Sequence, residues 1–193
     1  MIDALPASRT GAGTVRLGRL GPFLLLGQLA WPPRARPAAP CSPRCWLGGR
    51  YWMWFGEGTI HAATSADLRH WTPVADDEHP MHTPTPGQWD ATLVEIGAPP
   101  VRTADGLLVF LINGATASSP TDVHYRCGQL AVAETDPAKV VARTTEPWLR
   151  PTTFEDTHGL VSNVTFVEGL VHFRGSWFAY YGQNDTTLAV AVC

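Results

Sequence analysis

One short phrase occurs three times along the 193 residues of this chain, and it limits the possible folds more than any other feature. Each copy is a run rich in aromatic and aliphatic residues with glycine at both ends, at residues 49–56, 106–114 and 175–182. Such runs predict strands, and the flanking glycines predict turns. The closing glycines, Gly56, Gly114 and Gly182, are 58 and 68 residues apart. Repeats on the order of 40 to 50 residues or a little longer, each with several strands, are typical of β-propeller blades.

Short strands are also predicted between the three phrases, and no segment has the 3.6-residue period of an amphipathic helix. The predicted strands cover residues 51–55, 59–63, 71–74, 92–96, 107–112, 129–133, 140–143, 161–167, 170–173, 177–181 and 188–192. Residues 136–139 are expected to form a turn because they contain Asp136 and Pro137. The sequence therefore predicts an all-β chain of short strands.

Residues 1–46 differ in composition from the rest of the chain, with seven prolines and six arginines. Proline removes a backbone donor and breaks both helices and sheets. The apolar run 22–31 follows basic residues, as in a secretory signal, but Gly27 and Gln28 interrupt it and no small-residue cleavage site follows. We therefore expect an irregular tail at 1–46 and a β-domain at 47–193. A mistaken start site or an upstream reading-frame error is the alternative explanation of the tail.

The charge distribution limits the partners of the β-domain. Residues 47–193 hold eight Lys and Arg against sixteen Asp and Glu. An acidic surface of this kind argues against nucleic acid, whose phosphates require a basic surface. It is compatible with a neutral sugar handled by carboxylates, and the eight tryptophans suit both core packing and stacking on sugar rings.

The cysteines and histidines predict neither a metal site nor a cofactor. Cys41 and Cys45 are close in sequence, but no second close pair completes a zinc site. The four cysteines are expected to be reduced thiols, which favours a cytoplasmic location over secretion. The seven histidines show no metal-ligand spacing, and no apolar stretch of about 20 residues predicts a membrane span.

Residues 62–71 contain a more specific motif, of the form A-x-S-x-D-L-x-x-W. Ser65 and Asp67 are spaced to bond nearby backbone N–H groups and hold a turn, while Trp71 packs on the sheet. The same turn recurs in propellers that cleave sugars. We therefore interpret the motif as a marker of the fold, with Asp67 not catalytic.

From about Gly48 to its end, the chain resembles glycoside hydrolase family 130, whose members are five-bladed propellers that cleave or phosphorolyse β-mannosides and related sugars. Five ordered segments carry the resemblance, at residues 89–100, 103–114, 136–144, 154–166 and 180–186. The resemblance implies a partial five-bladed β-propeller of about three antiparallel blades. It also implies an oligosaccharide substrate.

Two departures from the family pattern bear on the reaction. The family's propeller is normally much longer, and its proposed general acid is an aspartate on an N-terminal blade that has no match here. The family's phosphorylases have a histidine that helps to hold phosphate, where this chain has Asn113. Asparagine offers phosphate no cationic donor. The resemblance therefore favours hydrolysis, with phosphorolysis by inorganic phosphate as the alternative.

The resemblance and the residue chemistry name five candidate site residues. Asp185 matches the family's aspartate that binds mannosyl hydroxyls; an ordinary turn aspartate is the alternative. Asp90 and Glu95 are candidate catalytic bases, although an extended strand separates them by about 16 Å and turns them to opposite faces, so each would act alone. Asn113 and Glu155 are candidate substrate contacts, and Glu155 is alternatively a solvated loop residue.

Three hypotheses follow from the sequence. The chain is a glycosidase-like protein that acts on β-mannosides or related glycans, with single displacement assisted by an acid and a base. Alternatively, it is a catalytically inactive carbohydrate-binding propeller fragment that lacks the acid. As a third hypothesis, it is a truncated product that folds badly because its blade edges are unpaired. The sequence leaves the oligomeric state open.

Overall fold

The structure is a computed structural model that describes residues 7–9, 14–17 and 45–193. In chain order, its strands are β1 Ala7–Arg9, β2 Thr14–Leu17, β3 Trp46–Leu47, β4 Arg50–Phe55, β5 His61–Ser65, β6 Thr72–Pro73, β7 Leu93–Ile96, β8 Val101–Arg102, β9 Leu107–Ser119, β10 Asp122–Ala133, β11 Asp136–Arg143, β12 Thr165–Phe173, β13 Ser176–Gln183 and β14 Thr187–Val192. A four-residue helix, α1 Phe154–Thr157, lies between β11 and β12. The described part is thus almost entirely β, which confirms the predicted fold class.

The strands form three sheets, and each glycine-flanked phrase lies in a different one. The first sheet has the order β3-β4-β5-β6, the second β11-β10-β9-β7 with β8 also on β9, and the third β1-β2-β14-β13-β12. The strand pairs are antiparallel except β14 with β2, which is parallel. The phrases occupy β4, β9 and β13, so the predicted repeat of sheets is confirmed.

The glycines of the phrases serve two purposes. Gly56, Gly106 and Gly175 have positive φ angles of 122°, 81° and 82° and lie at turns, as predicted. The turn prediction is wrong for Gly114 and Gly182, which lie inside β9 and β13. A Cβ on Gly114 would lie 2.6 Å from the Trp89 ring and 2.6 Å from Asp90 Cβ, so glycine there permits close packing.

Gly128, on β10, makes room for the same indole. A Cβ at this position would lie 2.2 and 2.4 Å from two atoms of the Trp89 ring. We expect Gly128→Ala to lower the free energy of unfolding by about 1–3 kcal/mol, because the ring has to shift within a packed core. Urea unfolding followed by Trp fluorescence measures this difference.

Gly182→Ala is the matched control, because Gly182 is also a strand glycine and its nearest atom would be 3.9 Å from the added Cβ. We expect its free energy of unfolding to stay within about 0.5 kcal/mol of the wild-type value. Equal losses in the two variants would mean that glycine is needed for strand geometry and not for Trp89.

The core runs through all three sheets, with the second sheet in the centre. Phe110 and Ile112 of β9 are fully buried. Trp54 of the first sheet is also fully buried, 4.9 Å from the Phe110 ring, and its Nε1 donates a hydrogen bond of 2.8 Å to the Pro137 carbonyl. Tyr181 packs into the same core from the third sheet. Full burial of one large apolar side chain stabilises the folded state by about 1.5–3 kcal/mol.

Several local predictions need correction. β1 and β2 lie within the predicted irregular tail, and β2 pairs with the edge of β14 through its backbone, which requires no apolar pattern. The other residues of 1–44 lie outside the described part, so the tail and its boundary stay predictions. The turn predicted at 136–139 is wrong, since these residues belong to β11. α1 was not expected from the sequence.

The turn predicted for the motif at 62–71 is confirmed. Ser65 Oγ accepts hydrogen bonds from the backbone N–H of Asp67 and Leu68, and Asp67 Oδ1 accepts from those of Arg69 and His70. The bond from the His70 backbone, followed by that from its ring, lowers the pKa of Asp67. Asp67 therefore holds a turn.

Within the described ranges, no helix has the length and apolar character needed to cross a membrane.

Candidate functional site

Glu95 lies on β7, opposite Asn113 of β9, and its side chain is half-buried while Val94 and Ile96 on either side face the core. This alternation follows from the period of two along a strand. Burial raises the pKa of Glu95, and the charge of Glu57 raises it further.

Glu57 belongs to the turn between β4 and β5, beside the start of β7. The carbonyl of Gly58 accepts a 3.2 Å hydrogen bond from the Val94 backbone N–H, and this bond fixes the turn against β7. The first and second sheets thus each supply one carboxylate. Glu57 was not among the five candidate residues, although its place between Gly56 and Gly58 was the available signal.

Asp185 lies at the hairpin turn between β13 and β14. Asn184 and Asp185 have φ angles of 52° and 55°, and Thr186 N–H donates to the Gln183 carbonyl at 3.1 Å. Positive φ at both central residues is typical of a type I′ turn, where asparagine and aspartate are favoured. The Asp185 side chain is exposed and therefore accessible to a ligand.

Tyr125 of β10 lies on the same face of the second sheet as Glu95, because Tyr125 pairs with Ala115 and Ala115 pairs with Leu93, two residues before Glu95. Burial raises the pKa of Tyr125, and the charges of Glu95, Glu57 and Asp185 raise it further, in that order. Its ring packs edge to face against Phe166 of the third sheet, with the two ring centroids 5.6 Å apart. A raised pKa keeps the phenol protonated, and the three acids whose charges raise it come from all three sheets. We name Glu57, Glu95, Tyr125 and Asp185 the carboxylate site.

Asp90 is placed apart from these groups. Its carboxylate is fully buried and accepts hydrogen bonds of 2.8 and 3.0 Å from Arg143 Nη2, and His82 Nε2 lies 3.9 Å from its Oδ2. Burial alone would raise the pKa of Asp90, but His82 and Arg143 together lower it below its ordinary value. A carboxylate with a lowered pKa, both of whose oxygens already bond Arg143, is better suited to an ion pair than to accepting a proton during catalysis. The catalytic role of Asp90 stays a prediction that this geometry does not favour.

Asn113 is also fully buried, and its amide joins the second and third sheets. Nδ2 donates to the Val167 carbonyl at 2.9 Å, while Oδ1 accepts from the Val167 N–H at 2.8 Å. Oδ1 also accepts from the Cys127 thiol at 3.3 Å, and burial raises the pKa of that thiol to about 12. Substrate binding by Asn113 stays a prediction, and these bonds leave the amide little capacity for it.

Hydrogen bonds join the loop that carries Glu155 to the hairpin turn that carries Asp185. Asn184 is fully buried, and its Nδ2 donates a 2.5 Å hydrogen bond to the Glu155 carbonyl. Asp156, the buried neighbour of Glu155, accepts from Gln183 Nε2 at 2.7 Å and from two backbone N–H groups at the start of α1. The Glu155 side chain is exposed, and its predicted role as a substrate contact stays a prediction.

Positive charge lies on the opposite face of β10 from Tyr125. Arg126 Nη1 donates to Thr116 Oγ1 at 3.1 Å and lies 3.5 Å from the Trp89 carbonyl. Burial lowers the pKa of Arg126, and the charge of Arg150 lowers it further.

Among the residues that the structure describes, no group of three or more His, Cys, Asp or Glu side chains is arranged to hold a metal ion.

Comparisons with known proteins identify relatives of the described region. The family model described as beta-1,4-mannooligosaccharide phosphorylase matches residues 44–193. A 1,2-beta-oligomannan phosphorylase from Thermoanaerobacter sp. (strain X514) is 36% identical over 133 residues, which are 69% of this chain and 42% of that protein. The chain thus spans less than half of that relative's length.

Two solved structures are similar in sequence and fold. One comes from the GH130 family of mannoside phosphorylases, which is described as containing glycoside hydrolases that target beta-1,2 mannosidic linkages in Candida mannan. It is 34% identical in sequence and has a TM-score of 0.69. The match covers 76% of this chain and 43% of the solved chain. The other is the beta-1,2-mannobiose phosphorylase from Listeria innocua in complex with beta-1,2-mannobiose. It is 28% identical with a TM-score of 0.65, over 75% of this chain and 40% of that one.

Proposed function

This chain belongs to glycoside hydrolase family 130, and we propose that its carboxylate site takes part in the hydrolysis of β-mannosides. The observation that carries the proposal is that Glu95 and Tyr125 lie on one face of the second sheet, where the charges of Glu95, Glu57 and Asp185 also raise the pKa of Tyr125. Such a site offers many acceptors to the hydroxyl groups of a neutral sugar.

The charge of the site favours water over phosphate as the attacking group. Phosphate at neutral pH carries one to two negative charges, and three neighbouring carboxylates repel it. The relatives with curated activities are phosphorylases, so the distinction has to come from this chain's residues. Arg126 lies on the other face of β10, and the amide of Asn113 is bonded to Val167. Neither the guanidinium of Arg126 nor the amide of Asn113 is therefore placed to offset the repulsion of phosphate by the carboxylates.

Glu95 is the proposed base. A general base works best when its pKa approaches the working pH, and burial together with Glu57 moves the pKa of Glu95 in that direction. In an inverting hydrolase, this carboxylate takes a proton from water as the water attacks the anomeric carbon, while an acid protonates the leaving oxygen. The acid is proposed to come from the part of the family's propeller outside the matched region. Asp185 and Tyr125 bind and orient the mannosyl unit.

The products distinguish the two reactions. With β-1,2-mannobiose as substrate, hydrolysis releases mannose at a rate independent of added phosphate, whereas phosphorolysis yields mannose 1-phosphate only when phosphate is present. Formation of mannose 1-phosphate would overturn the proposal. Calorimetric titration of β-1,2-mannobiose into the protein measures binding separately from turnover. Asp185→Asn is expected to weaken this binding about 10-fold, by the loss of a charge-assisted hydrogen bond.

In a protein that includes the proposed acid, Glu95→Gln is expected to lower the rate of mannose release about 100-fold, because glutamine does not accept the proton. Its stability should not fall. The pKa of Glu95 is raised in the folded protein, so the charged form opposes folding above that pKa, and removing the charge at pH 7 leaves the free energy of unfolding equal or slightly higher. The wild-type rate should decrease as the pH falls through the raised pKa. A Glu95→Gln variant with wild-type activity would exclude Glu95 as the base.

A further inference from the structure

A cavity of about 290 Å³ lies between the first and second sheets, away from the carboxylate site. The first sheet lines it with His61 and Ala62 of β5, and the second sheet lines it with residues 138–140 of β11. Residues 74, 75 and 79–81, in the loop that follows β6, form the remaining wall. None of the four carboxylate-site residues is among the described residues that line it, so a ligand here would be separate from the sugar.

Hydrogen bonds fix the walls of the cavity. At the start of the loop, Val74 N–H donates to the Ala62 carbonyl at 2.9 Å. At its end, Ile60 and His82 exchange two backbone bonds of 2.9 and 3.1 Å, so both ends of the loop are held against β5. The indole of Trp54 bonds the start of β11 and fixes the facing wall to the first sheet. A cavity whose walls are already in place costs a ligand little ordering entropy.

The loop also has an internal turn that holds His79. Asp76 Oδ1 accepts from the Glu78 backbone N–H at 3.1 Å and lies 2.6 Å from His79 Nδ1, while the His79 N–H donates to the Asp76 carbonyl at 3.1 Å. His61 is held in turn by Thr59, whose Oγ1 lies 3.0 Å from His61 Nε2. When Nε2 accepts this bond, the proton of the imidazole is on Nδ1, and His61 can donate to a ligand.

Lys139 supplies the positive charge of the lining. It is the only lysine in the chain, its side chain is exposed, and it lines the cavity from β11. Among the residues that the structure describes, Lys139 forms no ion pair, although residues 47–193 hold twice as many acidic as basic side chains. An ammonium that has no carboxylate partner beside a cavity is free to pair with the negative charge of a ligand.

The rest of the lining limits what such a ligand can be. Met81, Ala138 and Val140 line the cavity and pack against the core, so its floor is apolar. Ligand cavities are usually apolar in this way, with a few polar groups that fix the orientation of the ligand. Three consecutive acids at 76–78, in the same loop, repel a dianion such as a phosphate monoester more than they repel a single negative charge.

We propose that this cavity binds a small monocarboxylate. Its carboxylate pairs with the ammonium of Lys139 and accepts from His61, and its apolar body lies against Met81 and Val140. A neutral molecule of the same shape is the competing occupant, and it leaves the charge of Lys139 unpaired. The site is a binding site without a part in catalysis, so the proposal does not depend on the hydrolysis of mannosides.

The single lysine allows a direct test with the full chain. Reductive methylation with ¹³C-formaldehyde labels Lys139 and the terminal α-amino group and keeps the positive charge of the lysine. Benzoate is the test ligand, because it has one carboxylate on an apolar ring. We expect benzoate to shift the Lys139 methyl signal along a saturable curve, with a Kd on the order of 1 mM for so small a ligand. The α-amino signal should not move.

Benzamide is the matched neutral ligand, and we expect it to bind about 10-fold more weakly because it has no charge to pair with Lys139. Equal affinity of benzamide and benzoate would overturn the proposal, since a neutral molecule would then be the occupant. A Lys139 signal that does not move at benzoate concentrations well above 1 mM would overturn it as well.

Four variants test the cavity without a label, by calorimetric titration of benzoate. Lys139→Gln should weaken binding about 10-fold, whereas Lys139→Arg keeps the charge and should stay within about 3-fold of wild type. Ala75→Leu should also weaken binding, because the larger side chain occupies part of the cavity, and it should fold because Ala75 is exposed. Arg69→Gln is the matched control, since Arg69 is an exposed cation of the first sheet outside the lining, and it should bind like wild type.

The variants also show how the proposal fails. Equal weakening by Lys139→Gln and Arg69→Gln would mean that benzoate is attracted to any positive charge on the surface, and an Ala75→Leu protein with wild-type affinity would place benzoate outside the cavity. Either result would overturn the proposal. None of these measurements involves a mannoside, so their failure is distinguishable from a failure of the proposed hydrolysis.

Discussion

Asp90→Asn is expected to lower the free energy of unfolding by about 3–5 kcal/mol, the usual cost of breaking a buried ion pair from one side. Asp90 is fully buried and accepts both of its short hydrogen bonds from Arg143, whose side chain is only 16% exposed. Asparagine leaves the guanidinium buried without its counter-charge, and Arg143 also packs over the Trp89 ring. Urea unfolding at pH 7 measures the difference.

Asp77→Asn is the control for Asp90→Asn, because Asp77 is exposed on the loop before β7, and its free energy of unfolding should stay within about 0.5 kcal/mol of wild type. Acid should remove the difference between wild type and Asp90→Asn. The pKa of Asp90 is lowered in the folded protein, so its contribution to stability is complete above its unfolded pKa of about 4 and is lost as the pH falls through the lower folded value. If Asp90→Asn matched Asp77→Asn at pH 7, the ion pair would have no net structural role.

The strands of the three phrases could be predicted from sequence because their composition identifies them without tertiary context. β4 and β13 are rich in aromatic residues, and β9 begins with a run of aliphatic residues and one phenylalanine. The first half of β10 was missed because residues 122–128 are mostly polar or small, and they pair with β9 through the backbone. Backbone pairing to a long neighbour leaves no signal in the pairing strand's own pattern.

The candidate site could be predicted only in part for a related reason. Glu95 and Asp185 were found through local motifs, but Glu57 and Tyr125 join them only when three sheets come together. Arg143 is 53 residues from Asp90, and nothing local in either segment indicates the ion pair. Sequence patterns report which residue types are near in the chain, whereas the electrostatics of a site depend on distances across the fold.

Asn113→Ala is expected to lower the free energy of unfolding by about 3 kcal/mol. The substitution leaves the buried N–H and carbonyl of Val167 without their partners, and each unsatisfied buried group costs about 1–3 kcal/mol. The Cys127 thiol loses one acceptor but keeps the Thr165 carbonyl at 3.2 Å. The loss should appear in urea unfolding and, locally, as faster hydrogen exchange of the Val167 amide.

Asn113→Asp separates the structural role of this residue from substrate binding. Aspartate has nearly the same volume and keeps the oxygen that accepts from the Val167 N–H, but it no longer donates to the Val167 carbonyl. If Asn113 joins the sheets, the free energy of unfolding should rank wild type above Asn113→Asp and Asn113→Ala, while the affinity for β-1,2-mannobiose in the folded variants stays near wild type. If Asn113 instead contacts the sugar, the two variants should retain stability and Val167 protection but lose affinity. The buried geometry of the amide favours the first outcome, because a side chain that already makes two hydrogen bonds to the third sheet and one within the second has little left to offer a ligand.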